Sequence, residues 1–446
     1  MNKKYISLCG ALVFSGSLLF GINTDTKSFF AGPKCEDIKL PADKVYPMGR
    51  KFPFGFYSTG GCSEPERIVN GVKKRSVIMP LEKRMADTRK IIDGGASFIG
   101  PQYELNFEIL ETSKKFNVQC AYTISGIVKG KRIDKIFFRG KDKLDVEAMR
   151  KETAPVIREL AKNPEIAFWN VTPEERRHWK KREMLYLAEM YKLIKENDPL
   201  KRPVFMYEPG HRGADALAKT LAFMDICAKG TYTNYSGHKD NRVWVRHSME
   251  QELGAIKTCK KGIPFLLPEM FRQPEEKDLP LVEKWVKHDV YCGVANGAKG
   301  IMVFSARRRP NFSAWEKYIN AYLETAKVLS GELGQALLFG KDTTDLEVSV
   351  IEGVEKIEAR LRKGNKTTYP SLSVKQVVWN NARYVLIVNS AETPVKAMVD
   401  NLVYGSQITV RDILDPKDKK FTAPEGNFEV ALAPLQAVCF KIYCEK

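Results

Sequence analysis

An alternation of short apolar runs and amphipathic stretches, repeated eight times between Phe52 and Leu329, constrains this fold more than any other feature. A short apolar run between turn residues is typical of a buried strand, and apolar residues at helical spacing predict a helix packed against it. The predicted strands lie at residues 52–57, 98–100, 118–124, 165–167, 203–207, 224–232, 262–269 and 299–305. The predicted helices lie at residues 81–92, 104–116, 144–162, 176–196, 214–221, 243–260, 279–295 and 315–329. Eight such units predict an α/β fold, the (β/α)8 TIM barrel.

A doubly wound open sheet is the alternative architecture for this alternation. It usually has fewer strand–helix units, and no GxGxxG sequence follows any of the predicted strands. After Gly340 the pattern changes to short apolar or alternating runs rich in β-branched residues, separated by turn residues. Such runs predict a small all-β sandwich domain. The predicted domains are therefore a barrel at residues 32–340 and a β-sandwich at residues 341–446.

The chain begins with a pattern that is typical of a secretory signal peptide. Lys3 and Lys4 precede an apolar stretch at residues 5–22. We therefore expect residues 1–31 to be a signal peptide and the mature protein to be secreted or periplasmic. An uncleaved N-terminal anchor is the alternative. No other run is long and apolar enough to span a bilayer, so no stable membrane insertion is expected after signal removal.

The cysteines predict neither a disulfide pairing nor a metal site. Eight follow the predicted signal peptide, an even number that permits disulfides in an exported chain without defining their pairing. Cys35 and Cys62 have loop-like surroundings and are the candidates. No CxxC spacing, HExxH sequence or close histidine pair occurs, so no metal or other cofactor is predicted.

The charge is large and unevenly distributed. The formal net charge is +18. Residues 342–446 contain 14 Lys/Arg and 14 Asp/Glu, and residues 1–31 carry +2, so +16 lies in residues 32–341. One interpretation is a basic, solvated surface, and the other is a field that attracts an anionic substrate such as a sulfated or uronate-containing glycan. Nucleic acid is not predicted as a partner because no nucleic-acid-binding motif is present.

Two carboxylates follow predicted strands. Glu174 lies in the stretch Phe168–Glu175 (FWNVTPEE) after strand four, and Glu269 ends strand seven. Because the C-terminal ends of barrel strands meet at one rim, we expect the two side chains to lie near each other. A separation of about 5–5.5 Å lets one carboxylate attack an anomeric carbon while the other acts as acid and then as base. The pair therefore suits hydrolysis of a glycosidic bond.

Each carboxylate also has a structural interpretation. Glu174 and the adjacent Glu175 can complement the dipole of the helix that follows them. Glu269, in an apolar stretch, can belong to a structural salt bridge. The reserve carboxylates are Glu104, after strand two, and Glu208, after strand five.

The layout resembles the clan A retaining glycoside hydrolases, which combine an eightfold barrel with a glutamate acid/base after strand four and a glutamate nucleophile at strand seven. Trp169 precedes Glu174 by five residues, as an aromatic residue often does in that clan. The resemblance implies Glu174 as acid/base, Glu269 as nucleophile, and no cofactor. It also implies that Tyr232, at the end of strand six, hydrogen-bonds the nucleophile. Pro173 departs from the clan, where asparagine often precedes the acid/base.

Residues at the predicted strand ends are candidate substrate contacts. Aromatic rings can stack on sugars, and histidine and arginine can bind hydroxyls or charges. Arg307-Arg308-Arg309 follows strand eight, where clan members often have a tryptophan, and a guanidinium pairs bidentately with carboxylate or sulfate. For every candidate the alternative is core packing or a solvated loop. The candidates are Tyr57, Trp169, His211, Arg212, Tyr232, His238, Arg307 and Arg309.

The expected function is therefore an exported glycoside hydrolase that acts on a poly- or oligosaccharide, with an anionic glycan favoured by the charge. One alternative is a catalytically silent glycan-binding or surface protein on the same barrel. A lyase acting on uronates is a third interpretation, although it would use a tyrosine, histidine or lysine base. The sequence contains neither a GxSxG elbow nor a GxxxxGK[ST] loop, so other hydrolase chemistry is not predicted.

Overall fold

The structure, a computed structural model, describes residues 25–59, 67–69, 72–74, 80–102, 106–124, 127–128, 131–132, 138–139, 143–172, 175–309, 311–361, 365–404 and 408–445. Two domains follow one another along this part of the chain, a (β/α)8 barrel and an antiparallel β-sandwich. Both confirm the predicted fold class.

The barrel is a closed parallel sheet. Its strands are β1 Phe54–Phe56, β2 Phe98–Ile99, β3 Gln119–Thr123, β4 Ile166–Asn170, β5 Val204–Phe205 with Tyr207–Glu208, β6 Ile226–Thr231, β7 Ile263–Pro268 and β8 Ile301–Val303. Each strand pairs in parallel with the next, and β1 pairs with β8. Strand β5 is interrupted at Met206, and its first half pairs with β4 while its second half pairs with β6. The sheet therefore closes through the two halves of β5.

Of the helical segments that the structure describes, eight cover the barrel. They are α1 Leu81–Asp93, α2 Asn106–Phe116, α3 Val146–Leu160, α4 Lys181–Asn197, α5 Ala214–Leu221, α6 Trp244–Cys259, α7 Val282–Ala295 and α8 Trp315–Leu329. Four other helical segments are Thr26–Phe29, Glu332–Phe339 and the 3₁₀ turns Cys35–Asp37 and Glu276–Leu281. Among the helices that the structure describes, none has the length and apolar character needed to cross a bilayer.

Helix α4 begins at Lys181 rather than at the predicted Arg176. The buried carboxylate of Glu183 accepts hydrogen bonds from the Arg177 backbone N–H, at 2.7 Å, and from the Arg177 guanidinium. Those contacts hold residues 175–180 as a loop at the C-terminal rim. The helix dipole interpretation of Glu175 therefore does not hold, because this residue precedes the helix by a whole loop.

Alternation along the strands separates a barrel core from a helix-facing layer. In β4, Phe168 points into the barrel, where its ring meets Phe98 at 5.4 Å and Phe265 at 5.8 Å, edge to face. Its neighbour Trp169 packs instead among the helices. Gly55 leaves the space that the Phe98 ring occupies, since a Cβ there would lie 2.4 Å from the ring. Large aromatic residues thus fill the barrel below the rim.

The second domain consists of antiparallel sheets. The six-stranded sheet contains, in spatial order, Lys341–Asp342, Leu372–Trp379, Ala382–Asn389, Ala437–Cys444, Ile408–Asp412 and Lys420–Thr422. The three-stranded sheet contains Glu347–Glu352, Val395–Asp400 and Phe428–Leu432. The structure also describes two-stranded hairpins. One belongs to the second domain, at Lys356–Arg360 with Lys366–Pro370. The others belong to the barrel portion of the chain, at Arg67–Val69 with Val72–Lys74, Ile127–Val128 with Lys131–Arg132, and Phe138–Arg139 with Lys143–Leu144.

Helix α7 packs against the six-stranded sheet and joins the two domains. Trp379 and Tyr384 of the sheet belong to the same apolar core as the barrel helices. Side-chain contacts cross this interface, and the Cys292 thiol lies 3.9 Å from both Ser373 Oγ and Ser390 Oγ. His288 Nε2 lies 2.9 Å from Ser390 Oγ, and Asn296 Nδ2 donates to Ser373 Oγ at 2.9 Å.

The segment that follows Asp25 packs on the sandwich domain. Phe29 and Phe30 are buried in the sandwich core. The Arg383 guanidinium lies 4.1 Å from the Phe29 ring centroid and donates to the Phe29 carbonyl oxygen at 2.8 Å. The predicted signal-peptide boundary at residue 31 lies beyond these core residues.

Candidate active site

A cavity of about 700 Å³ opens at the C-terminal ends of β5, β6 and β7. Aromatic and histidine side chains make up most of its wall. The lining residues are Tyr207, Pro209, Gly210, His211, Tyr232, Tyr235, Ser236, His238, Trp244 and Phe271. This is the rim on which a (β/α)8 barrel carries its reactive groups.

Glu269 follows β7 and lies beside this cavity, with only 6% of its surface exposed. Its carboxylate accepts the backbone N–H of Asn234, and the N–H of Tyr235 at 3.0 Å. The Tyr322 hydroxyl donates to the Glu269 carbonyl oxygen at 2.9 Å and holds the backbone. Among the described residues Glu269 has no ion pair, so the salt-bridge interpretation is not supported.

Burial raises the pKa of Glu269 from 4.5 to about 7. The two backbone N–H groups and the charge of Arg242 oppose that rise, because they stabilise the ionised carboxylate, while Asp289 adds to it. Glu269 is therefore a carboxyl that exchanges its proton near neutral pH.

Stacked rings form part of the cavity wall. The rings of Tyr207 and Tyr232 lie 6.1 Å apart at 15°. Tyr232 also meets Phe271 at 5.0 Å and Phe304 at 5.7 Å. The wall provides flat apolar faces with phenol hydroxyls at their edges, which suits a sugar ring with its apolar face and equatorial hydroxyls.

The two histidines predicted as substrate contacts both line the cavity. His211 is exposed, whereas His238 is half-buried and its ring stacks on Trp244 at 4.0 Å and 13°. Burial and the neighbouring charge of Lys229 lower the pKa of His238, which keeps its ring neutral near pH 7. His238 and Trp244 thus form a second flat, uncharged surface in the wall.

Three residues predicted as substrate contacts do not line the cavity. Trp169 is fully buried behind β4 and donates its indole N–H to Asp198 at 2.8 Å. Tyr57 is 1% exposed and packs in the barrel core against Phe304. Arg212 is buried and forms an ion pair with Glu208. None of the three presents an open face to a substrate.

The pairing with Arg212 also settles the place of the reserve carboxylate Glu208. Burial raises the pKa of Glu208 to about 7, although Arg212 and Thr220 act against the rise. The Arg212 guanidinium further donates to the Arg176 carbonyl at 2.6 Å. Glu208 and Arg212 therefore fix the loop after β4 to the loop after β5 from behind the cavity.

The three arginines after β8 have different surroundings. Arg308 binds Asp87 at 2.7 and 2.9 Å and Glu316 at 2.7 Å, so its charge is used within the fold. Arg309 donates to Ser305 at 3.1 Å, and its guanidinium lies 5.8 Å from the Phe271 ring that lines the cavity. Arg307 is half-buried beside it.

Two predicted positions, Glu174 and Cys62, lie outside the described residues, as does the reserve Glu104. Cys35, the other disulfide candidate, is a free thiol, as are the other six described cysteines. In the described ranges no group of three or more His, Cys, Asp or Glu side chains is arranged to hold a metal ion.

Sequence reasoning missed several residues of the cavity. Tyr207, Tyr235, Phe271 and Trp244 all line it, yet none was a predicted contact. Tyr207 and Phe271 carried a usable signal, because both adjoin predicted strand ends. Tyr235 is 59% exposed, which sequence alone does not indicate.

Comparisons with known proteins bear on the fold alone. Neither a protein-family model nor a curated protein matches the chain. The α-amylase of Geobacillus thermoleovorans, solved with acarbose, is similar with a TM-score of 0.52 at 9% identity, over 89% of this chain and 99% of its own. An Anoxybacillus α-amylase is similar with a TM-score of 0.53 at 10% identity, over 89% and 98%. The chain therefore shares the overall fold of these structures, a (β/α)8 barrel followed by a β-domain.

Proposed function

We propose that this protein is an exported glycoside hydrolase with a retaining mechanism, in which Glu269 is the nucleophile. The observation that carries the proposal is the placement of Glu269. A nearly buried carboxylate, held by two backbone N–H groups, adjoins a cavity of stacked aromatic rings at the reactive rim of the barrel. The fold shared with the amylases supports the same class.

In the proposed reaction a Glu269 oxygen attacks the anomeric carbon and breaks its bond to the leaving oxygen. The proton for that oxygen comes from Glu174. The glycosyl-enzyme ester is then hydrolysed by water, which gives its proton back to Glu174 and releases the Glu269 carboxylate. The Asn234 and Tyr235 N–H groups hold the carboxylate in line throughout. No cofactor enters this sequence.

The substrate that we propose is an acidic glycan. Arg309, beside Phe271, is a cation next to the cavity, and +16 of the net charge lies in the barrel portion of the sequence. A guanidinium binds carboxylate or sulfate bidentately. Aromatic walls such as those of Tyr232 and His238 with Trp244 would take the sugar rings.

The test is incubation of the purified protein with neutral, uronate-containing and sulfated oligosaccharides, followed by measurement of new reducing ends. We expect cleavage of an acidic glycan and its loss in Glu269→Gln. Glu111→Gln, at an exposed position of α2, is the control, because Glu208 holds the loops beside the cavity through Arg212. Binding without cleavage would favour a silent glycan-binding protein, and equal loss in both variants would remove the role of Glu269.

A further inference from the structure

The turn at residues 233–238 is the element that holds Glu269, and it is itself held from one side. Its backbone closes on itself, since Ser236 N–H donates to the Tyr232 carbonyl at 2.9 Å and His238 N–H to the Thr233 carbonyl at 2.9 Å. The N–H groups of Asn234 and Tyr235 are then directed at the Glu269 carboxylate. Whatever fixes this turn fixes the carboxylate.

A buried ion pair lies directly behind the turn. Arg242 Nη1 donates to the Asn234 side-chain oxygen at 2.8 Å. The other face of the same guanidinium binds the Asp289 carboxylate of α7, with Nε at 3.0 Å from Oδ1. Thr233 Oγ1 donates to Asp289 Oδ2 at 3.2 Å. Asp289 is therefore bonded to the turn directly and also through Arg242.

The network continues beyond the barrel. His288 Nδ1 lies 2.9 Å from Asp289 Oδ1, and His288 Nε2 lies 2.9 Å from Ser390 Oγ in the sandwich domain. His288 is fully buried, and Arg242, Asp289 and Ser390 are each at most 5% exposed. Water cannot easily replace any of these contacts, so loss of one partner leaves a buried polar group unsatisfied.

The charge of Asp289 and the tautomer of His288 determine which groups of the network donate hydrogen bonds and which accept them. Burial works to raise the pKa of Asp289, but Arg242 and His288 outweigh it and lower that pKa, so Asp289 is an anion that only accepts hydrogen bonds. The Nδ1 of His288 must then carry the proton. Burial lowers the pKa of His288, so the ring is neutral and its Nε2 is left as an acceptor for the Ser390 hydroxyl.

We infer that the sandwich domain is part of the catalytic apparatus, because Ser390 positions Glu269 through His288, Asp289, Arg242 and the turn at residues 233–238. Ser390 touches no substrate and is a positioning residue. Its hydroxyl donates to Nε2 of the His288 tautomer that Asp289 requires and so holds the ring in place, which keeps Asp289 on Arg242 and Thr233. The positioning stands on the contacts themselves, and only its catalytic consequence rests on the proposed function.

The experiment compares Ser390→Ala with Ser373→Ala. Ser373 is also a buried serine of the sandwich, and it also accepts a hydrogen bond from the barrel domain, from Asn296 at the end of α7. The Cys292 thiol lies 3.9 Å from both Ser373 Oγ and Ser390 Oγ, so each serine has the same weak contact besides its hydrogen bond. Among the described contacts only Ser390 reaches His288, so a purely structural effect should be equal in the two variants, whereas an effect on the turn should not.

The first measurement is amide hydrogen exchange, by mass spectrometry, of peptides that cover residues 232–238 in the full chain. We expect Ser390→Ala to speed exchange there on the order of tenfold, the effect of losing about one buried hydrogen bond, while Ser373→Ala leaves it unchanged. Asp289→Asn, which removes the central anion, should give a larger increase. If Ser390→Ala and Ser373→Ala change these amides equally, the inference is overturned.

The second measurement is turnover of whichever oligosaccharide of the panel is cleaved. A displaced nucleophile lowers kcat more than it changes KM, and we expect a loss on the order of tenfold to a hundredfold in Ser390→Ala alone. If no oligosaccharide is cleaved, the proposed function fails while hydrogen exchange still decides the positioning. If turnover is intact in Ser390→Ala, the catalytic role of the sandwich is overturned.

Discussion

Glu269 is the residue whose protonation should set the pH range of the reaction. A nucleophile must be ionised, and burial raises the pKa of Glu269 to about 7 in the free protein. We therefore expect kcat/KM to fall with decreasing pH below about 7, rather than below the ordinary glutamate value of 4.5. A pH–rate profile measured at low substrate concentration checks this, and an acidic limb centred near 4.5 would contradict it.

The same pKa shift of Glu269 makes the stability of the protein depend on pH. Because the folded pKa of Glu269 lies above the unfolded one, its contribution favours folding below about pH 4.5 and is lost as the pH rises through about 7. Glu269→Gln carries no titrating group there. Its thermal unfolding midpoint should therefore rise relative to the wild type between about pH 5 and about pH 8.

The solvent-exposed Glu111→Gln serves as the control for this comparison. The difference between its thermal unfolding midpoint and that of the wild type should stay constant over the same pH range. A constant difference for Glu269→Gln as well would show that Glu269 does not carry the pH dependence.

Arginine at the rim should decide between charged and neutral substrates. Arg309 adjoins Phe271 at the cavity and Arg307 lies beside it, whereas Arg308 is bound to Asp87 and Glu316. Arg309→Ala and Arg307→Ala should each weaken an acidic oligosaccharide more than its neutral analogue, by about tenfold for one charge-assisted contact. Arg308→Ala should lower the unfolding temperature instead. Equal losses on both substrates, measured as kcat/KM, would remove the charge argument.

The sequence predicted which residues lie at strand ends better than it predicted which way their side chains point. Glu269 and Tyr232 were named because residues that end barrel strands face the rim, and His238 because it lies in the loop after strand six. Trp169 lies one position away from Phe168, which faces the barrel, and a shift of one residue along a strand moves a side chain to the other face. Arg212 lies in the loop after β5, and its ion pair with Glu208 sets its direction.

At the scale of elements, the loop at residues 175–180 should extend the binding site. Trp179 in this loop is 62% exposed, which is unusual for a tryptophan, and its ring meets only His178 among the described ring contacts. The Arg212–Arg176 contact ties this loop to the loop after β5, which lines the cavity. Trp179→Ala should therefore raise KM for long oligosaccharides several-fold and leave short ones unaffected, since one aromatic stacking contact is worth about 1 kcal/mol.

Leu200→Ala is the matched control for Trp179. Leu200 is 56% exposed but lies before β5, at the opposite end of the barrel. An effect of Trp179→Ala that is independent of chain length, or one that Leu200→Ala reproduces, would contradict a substrate contact.

Element type and order were predictable because each helix and strand expresses its own periodicity. Helices α5 and α8 occupy the predicted residues, Ala214–Leu221 and Trp315–Leu329. The late start of α4 was not predictable, since it depends on the buried contact of Arg177 with Glu183. The hairpin of Lys356–Arg360 with Lys366–Pro370 was missed because it is polar and owes its packing to the barrel, through Tyr369 and His247 at 2.8 Å.

For the whole molecule, tertiary contacts bring together groups that sequence keeps apart. Arg242 and Asp289 are a buried pair 47 positions apart, and Ser390 lies in another domain. Neither periodicity nor a motif marks such partners, because each is defined by packing between complete elements. For this reason the network that positions Glu269 could not be predicted. Glu269 itself could, because it ends a predicted strand.

The first described residues also join the two ends of the chain, and this has a consequence for export. Phe29 and Phe30 fill the sandwich core, and Arg383 binds the Phe29 ring and carbonyl. Removing one buried phenylalanine side chain costs about 3–5 kcal/mol, so cleavage after residue 31 would weaken the sandwich. We expect a signal peptide to be cut before Asp25, which caps the short helix Thr26–Phe29.

Two variants of different length test this. A chain that starts at residue 25 should unfold at the temperature of the naturally processed protein, whereas one that starts at residue 32 should unfold several degrees lower, since about 1 kcal/mol corresponds to a few degrees in a chain of this size. N-terminal sequencing of exported protein gives the natural start. A natural start at residue 32, with unchanged stability, would show that the Phe29 and Phe30 contacts do not matter to the mature fold.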